Sequence, residues 1–176
     1  MAVSPEKYQR GRVTWRKDYA SDLWSVRVAP EERIEFQPGQ YVTLGLEDHG
    51  AGKMLERAYS VCSAPHEEEL EFFFELVPHG LLTPRLYELK PGADVWMRHR
   101  AKGTFTLDGK SGRRNHFMVT TVTGVAPAVS MVRAEWRWST STVSAPLAAS
   151  TNSATPPRAS ERESASWRSI AGPSEP

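Results

Sequence analysis

The sequence predicts a mainly β protein, a closed antiparallel barrel or sandwich with one short helix, followed by the opening of an α/β unit and a disordered tail. Three observations carry this. Short apolar runs recur at near-regular spacing between residues 11 and 107, with turn signals between them, as in an antiparallel barrel or sandwich. A single helical pattern interrupts them. From Asn115 a buried run, a glycine-containing turn and a helix follow in order, which is how a nucleotide-binding α/β unit begins.

The predicted strands are 12–17, 22–29, 40–46, 56–62, 69–77, 93–100 and 103–107. Pro38-Gly39 and Pro91-Gly92 are turns that lead into strands, and residues 49–53 form a loop. The succession Phe72, Phe73, Phe74 predicts a strand covered on both faces. The helical pattern runs from Leu82 to Leu89, with Leu82, Leu86 and Leu89 apolar. Residues 116–120 read as a buried strand, and Ala126 to Arg133 as the helix that follows. From 134 to 176 the chain holds ten Ser, eight Ala, five Pro and four Thr, with Val143, Leu147 and Ile170 its only branched aliphatics. Such a segment buries too little apolar surface to offset the entropy of ordering. It is expected to be a disordered tail, or the product of a reading-frame change near Arg133. Trp136, Trp138 and Trp167, unusual in a linker, point to the second.

Charge is nearly balanced, 22 basic against 21 acidic residues, so nucleic acid is not an expected partner. The single cysteine, Cys62, excludes a disulfide framework and a cysteine-based metal site. His49, His66, His79, His99 and His116 are scattered without metal-ligand spacing, and no metal is expected. No signal-peptide core opens the chain and no apolar run is long enough for a bilayer, so the expected setting is cytoplasmic, with no membrane partner.

The densest chemistry lies in Arg57-Ala58-Tyr59-Ser60-Val61-Cys62-Ser63. On a strand, Arg57 and Tyr59 share one face. Arginine offers a forked donor to phosphate, and tyrosine a stacking surface with a polar tip. A ligand with both a phosphate and a flat ring suits them, and a flavin nucleotide has both. The pattern Arg57-x-Tyr59-Ser60-x-x-Ser63 resembles the flavin-binding signature of the ferredoxin–NADP reductase family. Phe36-Gln37-Pro38-Gly39-Gln40-Tyr41-Val42 is similar to the strand that precedes the signature. Gly80-Leu81-Leu82-Thr83-Pro84 is similar to the family's second flavin motif, and Thr123-Gly124-Val125-Ala126-Pro127 to the start of its pyridine-nucleotide domain. The closest likeness is to the bacterial branch.

The resemblance implies a six-stranded Greek-key flavin-binding barrel with one helix over residues 1–110 and the start of an NADP-binding domain over 111–133, with the tail over 134–176. It implies FAD as cofactor, NADP(H) in intact members, and ferredoxin or flavodoxin as electron partner. The implied function is FAD-dependent hydride exchange with NADP(H) and electron exchange with that partner, impaired in this chain. The alternatives are a flavin-binding module without catalysis of its own, or the reductase component of an oxygenase.

By the same resemblance, Arg57 meets the pyrophosphate, Ala58 lies within the motif, Tyr59 stacks on the flavin ring, and the Ser60 hydroxyl lies near the atom that exchanges hydride. Tyr59 and Ser60 are the expected catalytic residues. The main chain of Val61, Cys62 and Ser63 meets the ring edge, while Gly80, Leu82 and Thr83 bind phosphate at a helix start. Thr123 and Gly124 meet the nucleotide. Each has a plainer alternative. Arg57 could pair with Glu56 or Glu71, Tyr59 could be a barrel-wall tyrosine, Ser60 a tightly packed small residue, and Cys62 a buried small residue. Thr83 could be an ordinary N-cap, and Thr123-Gly124 a turn without ligand. The chain departs from the family at Val122, where a glycine is usual; a β-branched residue there disfavours nicotinamide binding.

Overall fold

The computed structural model describes residues 4–48, 50, 52–107 and 115–141, with 136–141 as helix backbone only. Its strands are β1 (Tyr8–Asp18), β2 (Leu23–Pro30), β3 (Tyr41–Asp48), β4 (Lys53–Ser60), β5 (Leu70–Glu75) and β6 (Asp94–Arg98). They form one antiparallel sheet in the order β4-β3-β6-β1-β2-β5. β6 inserts between β3 and β1, so the chain returns by long connections in the Greek-key manner. An isolated antiparallel bridge between Val61 and Phe72 joins the two outer strands and closes the sheet into a barrel. The closure is a single bridge; beyond it the facing edges of β4 and β5 carry no ladder among the described residues.

Alternation along the strands builds the core. Val13, Trp24, Val26, Val28, Val42, Leu44, Phe72, Phe74, Val95 and Met97 point inward and are buried. Trp24 stacks on Phe74 at 5.2 Å and meets Tyr87 edge-on at 5.0 Å. Phe73 faces outward and is half-covered by Tyr19, edge-on at 5.7 Å, so β5 is apolar on both sides as expected. The expected helix is shorter than its pattern. α1 spans Thr83–Tyr87 and buries Leu86, beside the buried Leu82.

Two expected strands do not form. Residues 103–107 make no ladder; only Lys102 bridges to Tyr41. Gly103, at φ +111°, turns the chain, and the carbonyl of Phe105 then sits where a Cβ on Gly39 would be, at 2.0 Å. The segment therefore packs across the Gly39 turn. Residues 116–120 are likewise not a strand, and Phe117 and Val119 are 94% and 81% exposed. A strand exists only by pairing, and residues 116–120 pair with no strand among the described residues.

A single 3-10 turn over Val122–Gly124 leads into α2 (Val125–Ser141). Pro127 is tolerated because it falls in the first turn. Ala126, Pro127, Ser130 and Met131 are buried along one face. α2 runs eight residues beyond Arg133, so the change of composition there is not an element boundary. The rest of the expected tail, 142–176, and the expected barrel end at 110 lie outside the described residues. Among the described residues no helix is long and apolar enough to cross a membrane.

Candidate functional site

The site begins where the barrel seam opens. Continuing the Val61–Phe72 bridge in antiparallel register would pair Ser60 with Phe73, Tyr59 with Phe74 and Ala58 with Glu75. That ladder does not form. Ala58, Tyr59, Ser60, Phe73, Phe74 and Glu75 instead line a cavity of about 270 Å³, completed by Val77, Thr83, Thr123 and Ala126. The cavity is the unzipped seam, roofed by the loop before α1 and by the first turn of α2. Phe73, Phe74, Glu75, Val77 and Ala126 escaped the sequence reading. The only signal was the Phe72–Phe74 run, which marks a strand but not where its pairing stops.

Tyr59 is half-buried, with its ring edge-on to Phe74 at 4.8 Å and 76°. Burial pushes its phenol up to about 12, against the pull of the Arg57 charge. The Ser60 hydroxyl has no hydrogen-bond partner among the described residues. Arg57 is exposed, and its guanidinium donates to the main-chain carbonyl of Glu56 at 2.8 Å. Both carboxylates that could have neutralised it are taken. Glu56 accepts from Arg98 and, at 2.9 Å, from Tyr8, and these bonds hold its carboxyl below the usual range despite partial burial. Glu71 pairs with Arg27 at 3.3 Å and Arg133 at 3.1 Å. Among the described residues Arg57 therefore has no carboxylate partner. A cation left unpaired two positions from a half-buried tyrosine is placed to meet an anion from outside.

The remaining motif residues do other work. The Val61 N–H donates to the Gln40 carbonyl at 3.1 Å and the Cys62 N–H to the Glu71 carbonyl at 2.8 Å, so neither faces the cavity. Ser63 donates its hydroxyl to the Glu69 carbonyl at 2.8 Å and accepts the Glu71 N–H at 2.6 Å, which locks the turn after β4. Cys62 is buried, and burial with nearby Glu71 pushes its thiol up to about 12, which rules out a ready nucleophile.

Thr83 is not an N-cap. Its hydroxyl donates to the Val77 carbonyl at 3.2 Å and accepts the Val77 N–H at 3.1 Å, and Leu82 stands at the cap without a side-chain bond. A Cβ on Gly80 would lie 3.1 Å from the Thr83 hydroxyl, so this glycine serves a tight turn. Gly80 and the buried Leu82 do not line the cavity; Thr83 does. A five-residue helix also offers only a small dipole to a phosphate. Of the nucleotide-domain pair, Thr123 lines the cavity while Gly124 is exposed beside it. Val122 adopts φ +43°, a left-handed conformation that strains a β-branched residue.

A larger hollow of about 570 Å³ lies among Pro5, Glu6, Lys7, Arg98, His99, Arg100 and Lys102 and contains no motif residue. Volume alone does not decide between the two; the aromatic wall, free hydroxyl and unpaired cation are at the smaller one. Among the described residues no group of three or more His, Cys, Asp or Glu could hold a metal ion. The seam cavity sits near the lower bound of about 300 Å³ for small-molecule sites.

Comparison with known proteins identifies the family. The family described as an oxidoreductase FAD-binding domain matches residues 16–106. A flavodoxin/ferredoxin–NADP reductase of Rhodobacter capsulatus is 36% identical over 121 residues, covering 69% of this chain and 44% of the relative. A ferredoxin–NADP reductase of Pseudomonas aeruginosa is 37% identical over 111 residues, 63% of this chain and 42% of its own length. The chain thus spans less than half the length of these curated relatives. Among solved structures, a ferredoxin NADP+ reductase of Neisseria gonorrhoeae with bound FAD and NADP superposes with a TM-score of 0.65 at 27% identity. That match covers 75% of this chain and 53% of the other.

Proposed function

The chain belongs to the oxidoreductase FAD-binding domain family, and from that premise we propose that its seam cavity holds the ring end of FAD in a protein of the ferredoxin–NADP reductase type. The observation that carries the reading is the unzipped seam, which places Tyr59 and Ser60 on a cavity wall while Arg57 stands outside without a carboxylate partner. FAD, when bound, supplies acceptance of a hydride and release of single electrons. Tyr59 offers its ring as a stacking face and, with its raised pKa, keeps its proton at neutral pH. Ser60 offers a hydroxyl that the protein leaves uncommitted. Arg57 neutralises pyrophosphate charge and orients the cofactor across β4. Phe73, Phe74 and Val77 exclude water.

The relatives' names speak of NADP, ferredoxin and flavodoxin. For this chain we propose the same electron partners. The basic stretch after β6 supports this: Lys102 bridges to Tyr41, which pairs with Ser60 on the cavity wall, so Arg100 and Lys102 follow on the chain beside β3. Residues 111–133 are proposed as the opening of an NADP-binding domain, and a cytoplasmic setting goes with these partners.

A second reading, a flavin-holding module without nicotinamide chemistry, is favoured by Val122. Its strained left-handed backbone stands where the family carries glycine, and the segment before it presents Phe117 and Val119 to solvent. We therefore propose that nicotinamide-driven turnover is impaired in this chain. The test is anaerobic addition of NADPH to the FAD-loaded 176-residue protein. A visible flavin band that persists is expected. Bleaching within seconds would return the chain to full reductase chemistry.

A further inference from the structure

Two walls of the seam cavity belong to the barrel, but Thr123 and Ala126 do not. No strand ladder holds them. They are carried by the 3-10 turn and the start of α2, and what fixes them is farther along that helix. Ala126, Ser130 and Arg133 follow at spacings of four and three, so they share one helical face. The Ser130 hydroxyl donates to the Ser63 carbonyl at 2.6 Å, both residues fully buried. Arg133 lies 3.1 Å from the Glu71 carboxylate and 3.8 Å from that of Glu67, and donates to the Cys62 carbonyl at 3.5 Å.

The receiving turn is the one that zips the seam. Ser63 bonds the Glu71 N–H, Cys62 bonds the Glu71 carbonyl, and the Val61–Phe72 bridge follows immediately. The side chain of Glu71 is only 7% exposed, so its charge needs a cation. Two are present. Arg27 comes from β2 within the sheet, and Arg133 alone crosses to α2.

We propose that Arg133 is a positioning residue: its pair with Glu71, together with the Ser130–Ser63 bond, is the latch that holds the α2 wall against the flavin cavity. The inference rests on the reading of that cavity as the flavin-ring site. Releasing the latch frees Thr123 and Ala126 while leaving the barrel strands paired. A general loss of stability at Glu71 would follow equally from removing Arg27; loss of the latch follows only from changes on α2.

The test uses the full chain. Cys62, the only cysteine and 4% exposed, reports on the latch without any cofactor. Arg133→Met is expected to speed its alkylation by iodoacetamide about tenfold, within the coupling range of interacting pairs, with Arg133→Lys restoring most protection and Arg27→Met unchanged. FAD titration by fluorescence then reads the consequence: about tenfold weaker binding in Arg133→Met and wild-type binding in Arg27→Met. If Arg133→Met does not fold, Ser130→Ala, which strands no buried charge, is expected to show the same direction in both measurements. Equal effects from Arg133→Met and Arg27→Met, or no effect of the α2 changes, would overturn the latch. A folded wild-type chain that takes up no FAD would sink the flavin reading, and alkylation would still decide the latch.

Discussion

At the scale of residues, the site depends on groups that the protein leaves uncommitted. Arg57 has no carboxylate partner among the described residues, so truncating it is expected to remove little from the fold and much from the proposed site. Arg57→Ala is expected to weaken FAD binding roughly tenfold or more while changing stability by less than about 0.5 kcal/mol. A titration paired with a thermal melt checks both. Val122 is the opposite case, a residue the backbone tolerates poorly. A left-handed conformation costs an L-residue roughly 1–2 kcal/mol, and glycine gives back about 0.5–1 through backbone entropy. Val122→Gly is therefore expected to raise stability by up to about 1 kcal/mol; a lower urea midpoint would contradict it. Tyr59 and Cys62 set the alkaline limit. Burial raises both to about 12 from ordinary values of 10.0 and 9.0. With folded pKa values above unfolded ones, their contribution is complete below about pH 9 and is lost as pH rises toward 12. Urea midpoints should fall across that window, less steeply in Cys62→Ala; a profile flat to pH 12 would refute this.

At the scale of elements, the fold follows from where pairing begins and ends. β1 grows beyond its sequence pattern because it pairs β6 along its first half and β2 along its second. Alternation made these strands legible in the chain itself, since inward Val13, Trp24, Val26 and Val28 must share a face. What alternation does not carry is the presence of a partner. Residues 103–107 and 116–120 have strand-like composition, yet the first is turned aside at Gly103 and the second pairs with no strand among the described residues. The cavity has the same origin. Its β4 half was legible through Arg57, Tyr59 and Ser60, but its β5 half depends on the ladder stopping after one bridge. The hydroxyls of Ser63 and Thr83 bond nearby main chain, a local use that their spacing in the sequence does not reveal, although Thr83 still lines the cavity. The Gly39 turn tests the packing of 103–107. At φ +96°, with the Phe105 carbonyl 2.0 Å from a Cβ, Gly39→Ala combines backbone strain with a clash. A loss of roughly 2–4 kcal/mol in chemical denaturation is expected; a neutral result would mean that residues 103–107 do not pack there.

At the scale of the whole molecule, a family of FAD-binding oxidoreductase domains accounts for residues 16–106, and α2 adds one wall to the same cavity. The chain spans less than half the length of its curated relatives, and the family match lies on its flavin-binding part. Ligand that binds only the folded state stabilises it by about 2.7 kcal/mol at a hundredfold excess over Kd. FAD should therefore raise the melting temperature in a concentration-dependent way, and a melt indifferent to FAD would count against a site formed in the folded chain. The most direct measurement is a fluorescence titration of FAD with the folded 176-residue protein, beside its Arg57→Ala and Tyr59→Ala variants. Saturable quenching at one flavin per chain, weakened in both variants, is the predicted result. A folded wild-type chain that binds no FAD, or variants that bind it equally well, would contradict the assignment of the open seam as the flavin site.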